Sequence, residues 1–322
     1  MANFTDTIQA VPVLSFGDNL VVDAARASFG HDHTQYSTQQ NIGLINYLAR
    51  HSHWTPFSHN RFTFRLTEYD FDVLSLSQEE MTGLVIKRDL THPYRFYARH
   101  SFHGWANILQ NEAVNPATRQ SIQARLQVEM PSASAAYFKE RSTAEPKELQ
   151  DIRDPYFIDV TLMYHVPVFV ARQEFKHMVG FTRNERSGRY VSTDIELYAP
   201  DKWRRKPDDG IKQGSGEDVD PVRNEITNRL YREYMGSILG AYSGFLNTGI
   251  APEMARMALP QSMMTSYVVT GHLAAYNRFF MERRDPTAQK EIRVNLVEAV
   301  STALRRTVGV EVLKEFVPNA PI

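Results

Sequence analysis

The densest run of chemically capable side chains is Arg172-Gln173-Glu174-Phe175-Lys176-His177, followed by Arg183-Asn184-Glu185-Arg186-Ser187-Gly188-Arg189-Tyr190. A hydroxyl, a glycine and an arginine in succession suit an anion. Gly188 lets its backbone N–H approach an oxygen, Ser187 donates, and Arg189 offers a planar fork to phosphate. An isolated Ser-Gly-Arg is more often a solvated, salt-bridged turn, so both readings stand at this point. A second cluster, His51-Ser52-His53-Trp54-Thr55-Pro56-Phe57-Ser58-His59, has His31 and His33 upstream of it. Its spacing fits no standard zinc pattern, and no metal site is assigned. Stacking on, and hydrogen bonding to, a planar ligand suits these residues better. Arg256, Asn277 and Arg283 stand further on, in helical stretches that also supply core residues, and singly each reads as a surface group.

The elements that must carry these groups are legible in part. Residues 9–16 are apolar enough for a first strand, Val21 to Ala27 reads as a short helix, and Ile42, Ile45, Leu48 and Ala49 predict a helix over 38–50. Phe62, Phe64 and Leu66 alternate with Arg61, Thr63 and Arg65, the pattern of a half-buried strand. Residues 69–160 read as an inserted, mostly helical subdomain, with helical patches near Gln78 to Ile86, Gly104 to Glu112 and Thr118 to Val128. Residues 200–219 collect Pro, Gly, Asp and Lys and read as a surface loop. Asp220 and Pro221 then start a long helix, with Val222, Ile226, Leu230, Tyr234, Ile238, Tyr242 and Phe245 along one face and Gly249 at its end. A further helix is expected from Ser262 to Arg283, and a last one from Asp285-Pro286 through Ile292, Leu296, Val300 and Leu304. Early strands and late helices together suggest an α+β domain.

The chain has 322 residues, with 36 basic and 37 acidic side chains and a net charge of −1. That balance argues against a protein that coats a nucleic acid polymer or an anionic membrane. With 42% apolar residues and a mean hydropathy of −0.41, it reads as an ordinary soluble globular chain. No stretch approaches the roughly 20 apolar residues of a membrane helix. The stretch from Met1 to Asp6 lacks the basic and apolar regions of a secretory signal, so a cytoplasmic location is expected. Cysteine is absent, which removes disulfides, thiolate metal ligands and any thiolate nucleophile.

Three ordered blocks carry a resemblance. The stretch from Val166, VPVFVARQEFKHMVGFTRNERSGRY, resembles the signature of the flavin-dependent thymidylate synthases: an Arg-His-Arg triplet, a spacer, then Asn-Glu-x-Ser-x-Arg-Tyr. His51 to Leu66, HSHWTPFSHNRFTFRL, is similar to the family's His-x-x-x-Pro-Phe-x-His block, and Glu253 to Ile292 is similar to its C-terminal helical half. The resemblance implies a single domain over 1–322, a mixed or antiparallel sheet packed with long helices, with the insertion at 69–160 and the loop at 200–219. It also implies FAD-dependent transfer of a one-carbon unit from methylenetetrahydrofolate to C5 of dUMP, giving dTMP, with NADPH as reductant and a homotetramer as the working assembly. The missing cysteine agrees, because the other thymidylate synthase adds a cysteine thiolate to the pyrimidine ring.

Carried over by position, the resemblance implies a pyrimidine nucleotide held by Gln173, Glu185, Ser187, Gly188, Arg189, Arg256 and Arg283. Flavin contacts fall to His53, Thr55, Lys176, His177, Met178, His272 and Asn277, and the catalytic groups are Arg283, Ser187 and His53. Arg283 is expected to sit against the pyrimidine and favour its ionised form. The triplet reads Lys176-His177-Met178 here, the spacer to Ser187 is one residue longer, Ser58 replaces a glutamate, and an Asn-x-Arg contact appears as His272-Leu273-Ala274. Two further readings follow from these departures. One is hydroxymethylation of dUMP or dCMP, and the other is a nucleotide-binding protein that has lost flavin chemistry.

Overall fold

The computed structural model describes residues 3–27, 30–76, 83–89, 92–185, 195–207 and 214–321. Its strands are β1 (Asn3–Thr5), β2 (Gln9–Pro12), β3 (Arg61–Leu66), β4 (Val85–Arg88), β5 (Phe96–Ser101), β6 (Asp159–Pro167), β7 (Phe181–Glu185), β8 (Glu196–Tyr198) and β9 (Met264–His272). Its α-helices are α1 (Asp18–Arg26), α2 (Thr38–Arg50), α3 (Glu68–Leu76), α4 (Phe102–Ile108), α5 (Pro116–Glu129), α6 (Pro131–Tyr137), α7 (Val168–Glu174), α8 (Pro221–Asn247), α9 (Pro252–Ala255), α10 (Leu273–Arg283), α11 (Val297–Val308) and α12 (Val310–Phe316). A 3-10 turn, Thr55–Ser58, precedes β3, and a π-helical stretch, Glu291–Leu296, leads into α11.

One core forms on the antiparallel sheet β2-β6-β9-β7. Along β6 the residues Val160, Leu162, Tyr164 and Val166 turn into it, meeting Phe279 and Phe280 of α10 and Val300 and Leu304 of α11. β9 lies between β6 and β7 and is buried along nearly its whole length. The helix expected from Ser262 to Arg283 therefore divides. Thr265, Val268, Val269 and Thr270 are β-branched and take the extended form, and the helix starts only at Leu273. His272 makes that break, its Nδ1 accepting from the backbone N–H of Ala275 at 3.0 Å. The first strand is also shorter than expected, ending at Pro12. Asp285-Pro286 is a turn rather than a helix start: the Asp285 carboxylate accepts from the backbone N–H of Thr287 at 2.8 Å, and helix resumes at Lys290.

The second core packs β3-β5-β4 against α1, α2, α4, α5 and α6, with Phe62, Phe64, Phe102, Trp105 and Ile122 at its centre. The stretch 69–160 is rich in helix, as expected, but it does not fold apart from the rest. Residues 77–82 lie outside the described ones, and Val85 and Ile86, expected at the end of a helical patch, belong to the strand Val85–Arg88. β4 and β5 complete the sheet that β3 begins, and Trp105 Nε1 donates to the Phe62 carbonyl at 2.8 Å. β6 itself begins within the same stretch, at Asp159.

α8 starts as expected, with the Asp220 carboxylate accepting from the backbone N–H of Arg223 at 3.0 Å and Pro221 in its first turn. Gly249 closes it at φ +84°, a conformation that L side chains rarely adopt. Its apolar face is not core, however. Val222, Leu230 and Tyr234 are exposed, and only Met235 and Tyr242 are buried along the helix. The surface loop after Tyr198 is pinned in its described parts. Trp203 Nε1 donates to Asn228 Oδ1 at 2.8 Å, and Arg204 Nη2 grips both Glu291 oxygens at 2.7 and 3.0 Å.

Polar side chains join the two cores. His59 is buried, its Nδ1 at 2.8 Å from Thr270 Oγ1 and its Nε2 at 3.2 Å from Asn184 Oδ1. Burial holds it neutral, with a pKa lowered to about 3. Arg61 donates to Asp159 and to Thr182 Oγ1, fixing β3 against β6 and β7.

Candidate active site

α7 and α10 end beside each other. The α7 start is tied to the β9 end of the sheet, Val168 N–H donating to the Met263 carbonyl and Phe169 N–H to that of Gln261. α10 buries Leu273, Tyr276, Phe279 and Phe280 along one face, which directs its last turn at the chain leaving α7. Here Arg283 Nε donates to His177 Nε2 at 2.6 Å, and Arg283 Nη2 donates to the Gln173 carbonyl at 2.8 Å. An arginine nitrogen is always a donor, so His177 Nε2 must present its lone pair and the ring proton must sit on Nδ1. That Nδ1 lies 3.5 Å from Glu282 Oε2. Burial, then the charges of Arg283 and Arg183, lower the His177 pKa to about 4, so the ring is neutral at physiological pH.

The turn that carries His177 is braced from below. Glu174, fully buried, accepts from Arg183 Nε at 2.9 Å and from its Nη2 at 2.6 Å, and Tyr267 donates to it at 3.2 Å. Arg183 Nη2 also donates to the His177 carbonyl at 2.7 Å. Lys176, Met178 and Val179 remain exposed on the turn. Gly180 closes it at φ +85°, where a Cβ would meet His272 Nε2 at 2.5 Å.

Gln173 stands between this cluster and a cavity of about 450 Å³. Its Nε2 donates to Gln289 Oε1 at 2.7 Å, and Gln289 lines that cavity with Phe169, Tyr198, Trp203, Tyr231 and Gln261. At the far end of β7 the Glu185 carboxylate accepts from Thr265 Oγ1 at 2.9 Å and lies within electrostatic reach of Arg256, which is exposed. Ser187, Gly188 and Arg189 lie outside the described residues.

The remaining expected residues divide. His53 and Thr55 are exposed on the turn before β3, where Pro56 and Phe57 are buried. That turn abuts β7 through the His59–Asn184 contact. His272 is buried, its Nδ1 taken as the α10 cap. Asn277 Oδ1 accepts from the N–H and the Nδ2 of Asn319, both at 3.1 Å, so it ties down the C-terminal segment. Gln173, His177 and Arg283 are thus brought into direct contact, while His272 and Asn277 are engaged within the fold.

The family model described as thymidylate synthase complementing protein matches residues 13–76 and 156–307, a range that holds all three sequence blocks. The flavin-dependent thymidylate synthase of Aquifex aeolicus (strain VF5) is 30% identical over 301 residues, spanning 86% of this chain and 90% of that one. The chain belongs to the flavin-dependent thymidylate synthase family. Another flavin-dependent thymidylate synthase, from Thermus thermophilus, is 34% identical over 163 residues, 50% of this chain and 55% of that one. A solved structure of PolB, a UMP/dUMP methylase from Streptomyces cacaoi bound with 5-Br dUMP, covers 99% of this chain at 19% identity and a TM-score of 0.46.

As a member of the flavin-dependent thymidylate synthase family, the chain is a thymidylate synthase-like methyltransferase. Among the described residues no helix is long and apolar enough to cross a membrane. Glu174 and Arg183 stand within the run singled out from the sequence, but no spacing rule reveals their pairing. Sequence reasoning missed Arg61, Arg99 and Asp159. The signal for Arg99 was a strand-like run, FYARHS, with an arginine and a histidine where apolar residues were due.

Proposed function

We propose that this protein methylates C5 of dUMP to give dTMP, taking the one-carbon unit from methylenetetrahydrofolate and using FAD and NADPH. The observation that supports this most directly is the guanidinium of Arg283, held on one edge by His177 Nε2 and the Gln173 carbonyl. With no cysteine available for addition at C6, C5 must become nucleophilic through polarisation of the ring. A cation near the N3–C4 edge does that, and arginine stays protonated while donating two parallel bonds. The outer edge of Arg283, its Nη1 and the second Nη2 hydrogen, is the one left for the pyrimidine. Gln173, Glu185 and Arg256, with the Ser187-Gly188-Arg189 run, would hold the rest of the nucleotide.

The exposed side chains suit a flavin, with polar groups beside an apolar thioether. His53 and Thr55 lie on one side and Lys176 and Met178 on the other, on two turns that adjoin opposite ends of β7. Bound FAD, reduced by NADPH, would supply the reducing equivalents that turn a methylene into a methyl group. His177, which the resemblance also implies as a flavin contact, is buried, with Nε2 engaged by Arg283 and its proton on Nδ1. The engagement of His272 and Asn277 within the fold favours a second reading in which flavin chemistry is altered and the product is hydroxymethylated. Incubating the purified protein with dUMP, methylenetetrahydrofolate, FAD and NADPH, then weighing the product by mass spectrometry, separates the two. A methylated nucleotide supports the proposal, and no product from yellow, FAD-loaded protein would overturn it.

The working assembly is proposed to be a homotetramer, in which α8 meets partner subunits. Its exposed apolar positions Val222, Ile226, Leu230 and Tyr234 recur every four residues, with Phe245 further along the helix. Gly236, Gly240 and Gly244 leave open space where a Cβ would stand, so another helix can approach closely.

A further inference from the structure

We propose that Arg183 and Glu174 are positioning residues that set the ring of His177, and through it the guanidinium of Arg283, in the geometry the reaction needs. The inference rests on the proposed role of Arg283. Glu174 closes α7, and the turn from Phe175 to Gly180 carries His177 back to β7, where Arg183 stands. One guanidinium spans both sides of this loop. Its Nε and Nη2 take the two oxygens of Glu174, and Nη2 also holds the His177 carbonyl. The rings of Phe175 and Phe181 flank its charge, with centroids 5.7 and 4.9 Å from Cζ. Tyr267, on the central strand, donates to the carboxylate from the sheet side.

The loop's other ties fall to either side of the His177 carbonyl: the His177 N–H donates to the Glu174 carbonyl at 3.0 Å, the Phe181 N–H to the Met178 carbonyl at 3.2 Å, and Arg278 Nη2 to the Val179 carbonyl at 2.5 Å. The Arg283 contact demands a lone pair on His177 Nε2 at one position. A shift of the His177 carbonyl would lengthen that 2.6 Å bond and release Nε of Arg283. A lysine in place of Arg183 keeps the charge, but its single ammonium cannot hold two carboxylate oxygens and a carbonyl in the same plane.

Two measurements on the full-length protein test the idea, carried out on Arg183→Lys and Glu174→Gln. Imidazole 15N NMR reports the His177 tautomer without any catalytic turnover. Steady-state kinetics separates kcat from KM for dUMP. The proposal expects the wild-type ring in its Nδ1–H form, a mixed tautomer population in Arg183→Lys, and a kcat lowered roughly ten- to a hundredfold in that variant, with a smaller change in KM. If Arg183→Lys fails to fold, Glu174→Gln keeps the side-chain shape and the Arg183 bond to His177, and should show the same tautomer mixing to a lesser degree. A lower melting temperature with a wild-type tautomer and wild-type kcat would make the pair merely structural and overturn the proposal. The tautomer readout decides the question even if dUMP proves not to be the substrate.

Discussion

Arg61 meets Asp159 at 2.9 Å across the seam between the two cores. Arg99 donates to the same carboxylate oxygen at 2.7 Å, so one acid holds two nearly buried guanidinium groups, one from β3 and one from β5. Removing that acid strands both cations. Asp159→Ala should cost about 3–5 kcal/mol of stability, read as a lower urea midpoint. Arg61→Met, which leaves Arg99 still paired, should cost clearly less. Equal losses in the two variants would show that the shared carboxylate does not dominate the seam.

Arg283→Lys keeps a positive charge at the end of α10 but cannot hold His177, Gln173 and a pyrimidine together. Turnover should fall about tenfold or more, at least ~1.4 kcal/mol in the barrier, while stability and FAD content stay near wild type. Normal turnover in the lysine variant would assign Arg283 a helix-end role, worth about 0.3–1 kcal/mol of stability through the dipole.

Acid should destabilise the fold well before its carboxylates are all protonated. Burial is the main cause that lowers the pKa of His59 to about 3 and those of His100, His177 and His272 to about 4. Below the unfolded value near 6.5, the unfolded chain binds protons that the folded chain refuses. Stability is therefore fully present above about pH 6.5 and is lost as pH falls toward 4 and then 3. Melting temperatures across pH 7 to 4 should drop progressively, and a flat profile over that range would contradict the buried, neutral assignment.

Leu230→Glu with Tyr234→Glu places two charges on the apolar face of α8. Both positions are exposed in the single chain, at 58% and 65%, so the circular dichroism spectrum should not change. Light scattering should report a smaller assembly than wild type. An unchanged mass would put the subunit contacts elsewhere.

Much of this architecture was legible, and the losses have physical causes. α2 was readable because Ile42, Ile45, Leu48 and Ala49 keep helical spacing, and the structure adds a reciprocal Ser37–Gln40 cap at its start. β9 was not, because a strand buried on both faces loses its alternation and runs without a break into the apolar start of α10. β5 buries all six of its residues, polar ones included, so no period marks it. The sequence blocks singled out Arg283 for the pyrimidine and His177 for the flavin. Their contact, and the one between His59 and Thr270, 211 positions apart, is a product of topology that local patterns do not encode. The stripe on α8 was visible, but the same spacing serves a core and a subunit boundary equally well.

The three glycines of α8 carry a cost that bears on how the protein persists in dilute solution. Each is less favourable than alanine in a helix by roughly 1 kcal/mol, and nothing among the described residues fills the space they leave. An isolated subunit bears that handicap with its apolar stripe in water, whereas association offsets both. In the proposed tetramer, folding and assembly would be linked by mass action, and the melting temperature should rise with protein concentration. Dilution alone would loosen the subunit, and the same three positions, filled with alanine, would make a sturdier monomer and a poorer oligomer.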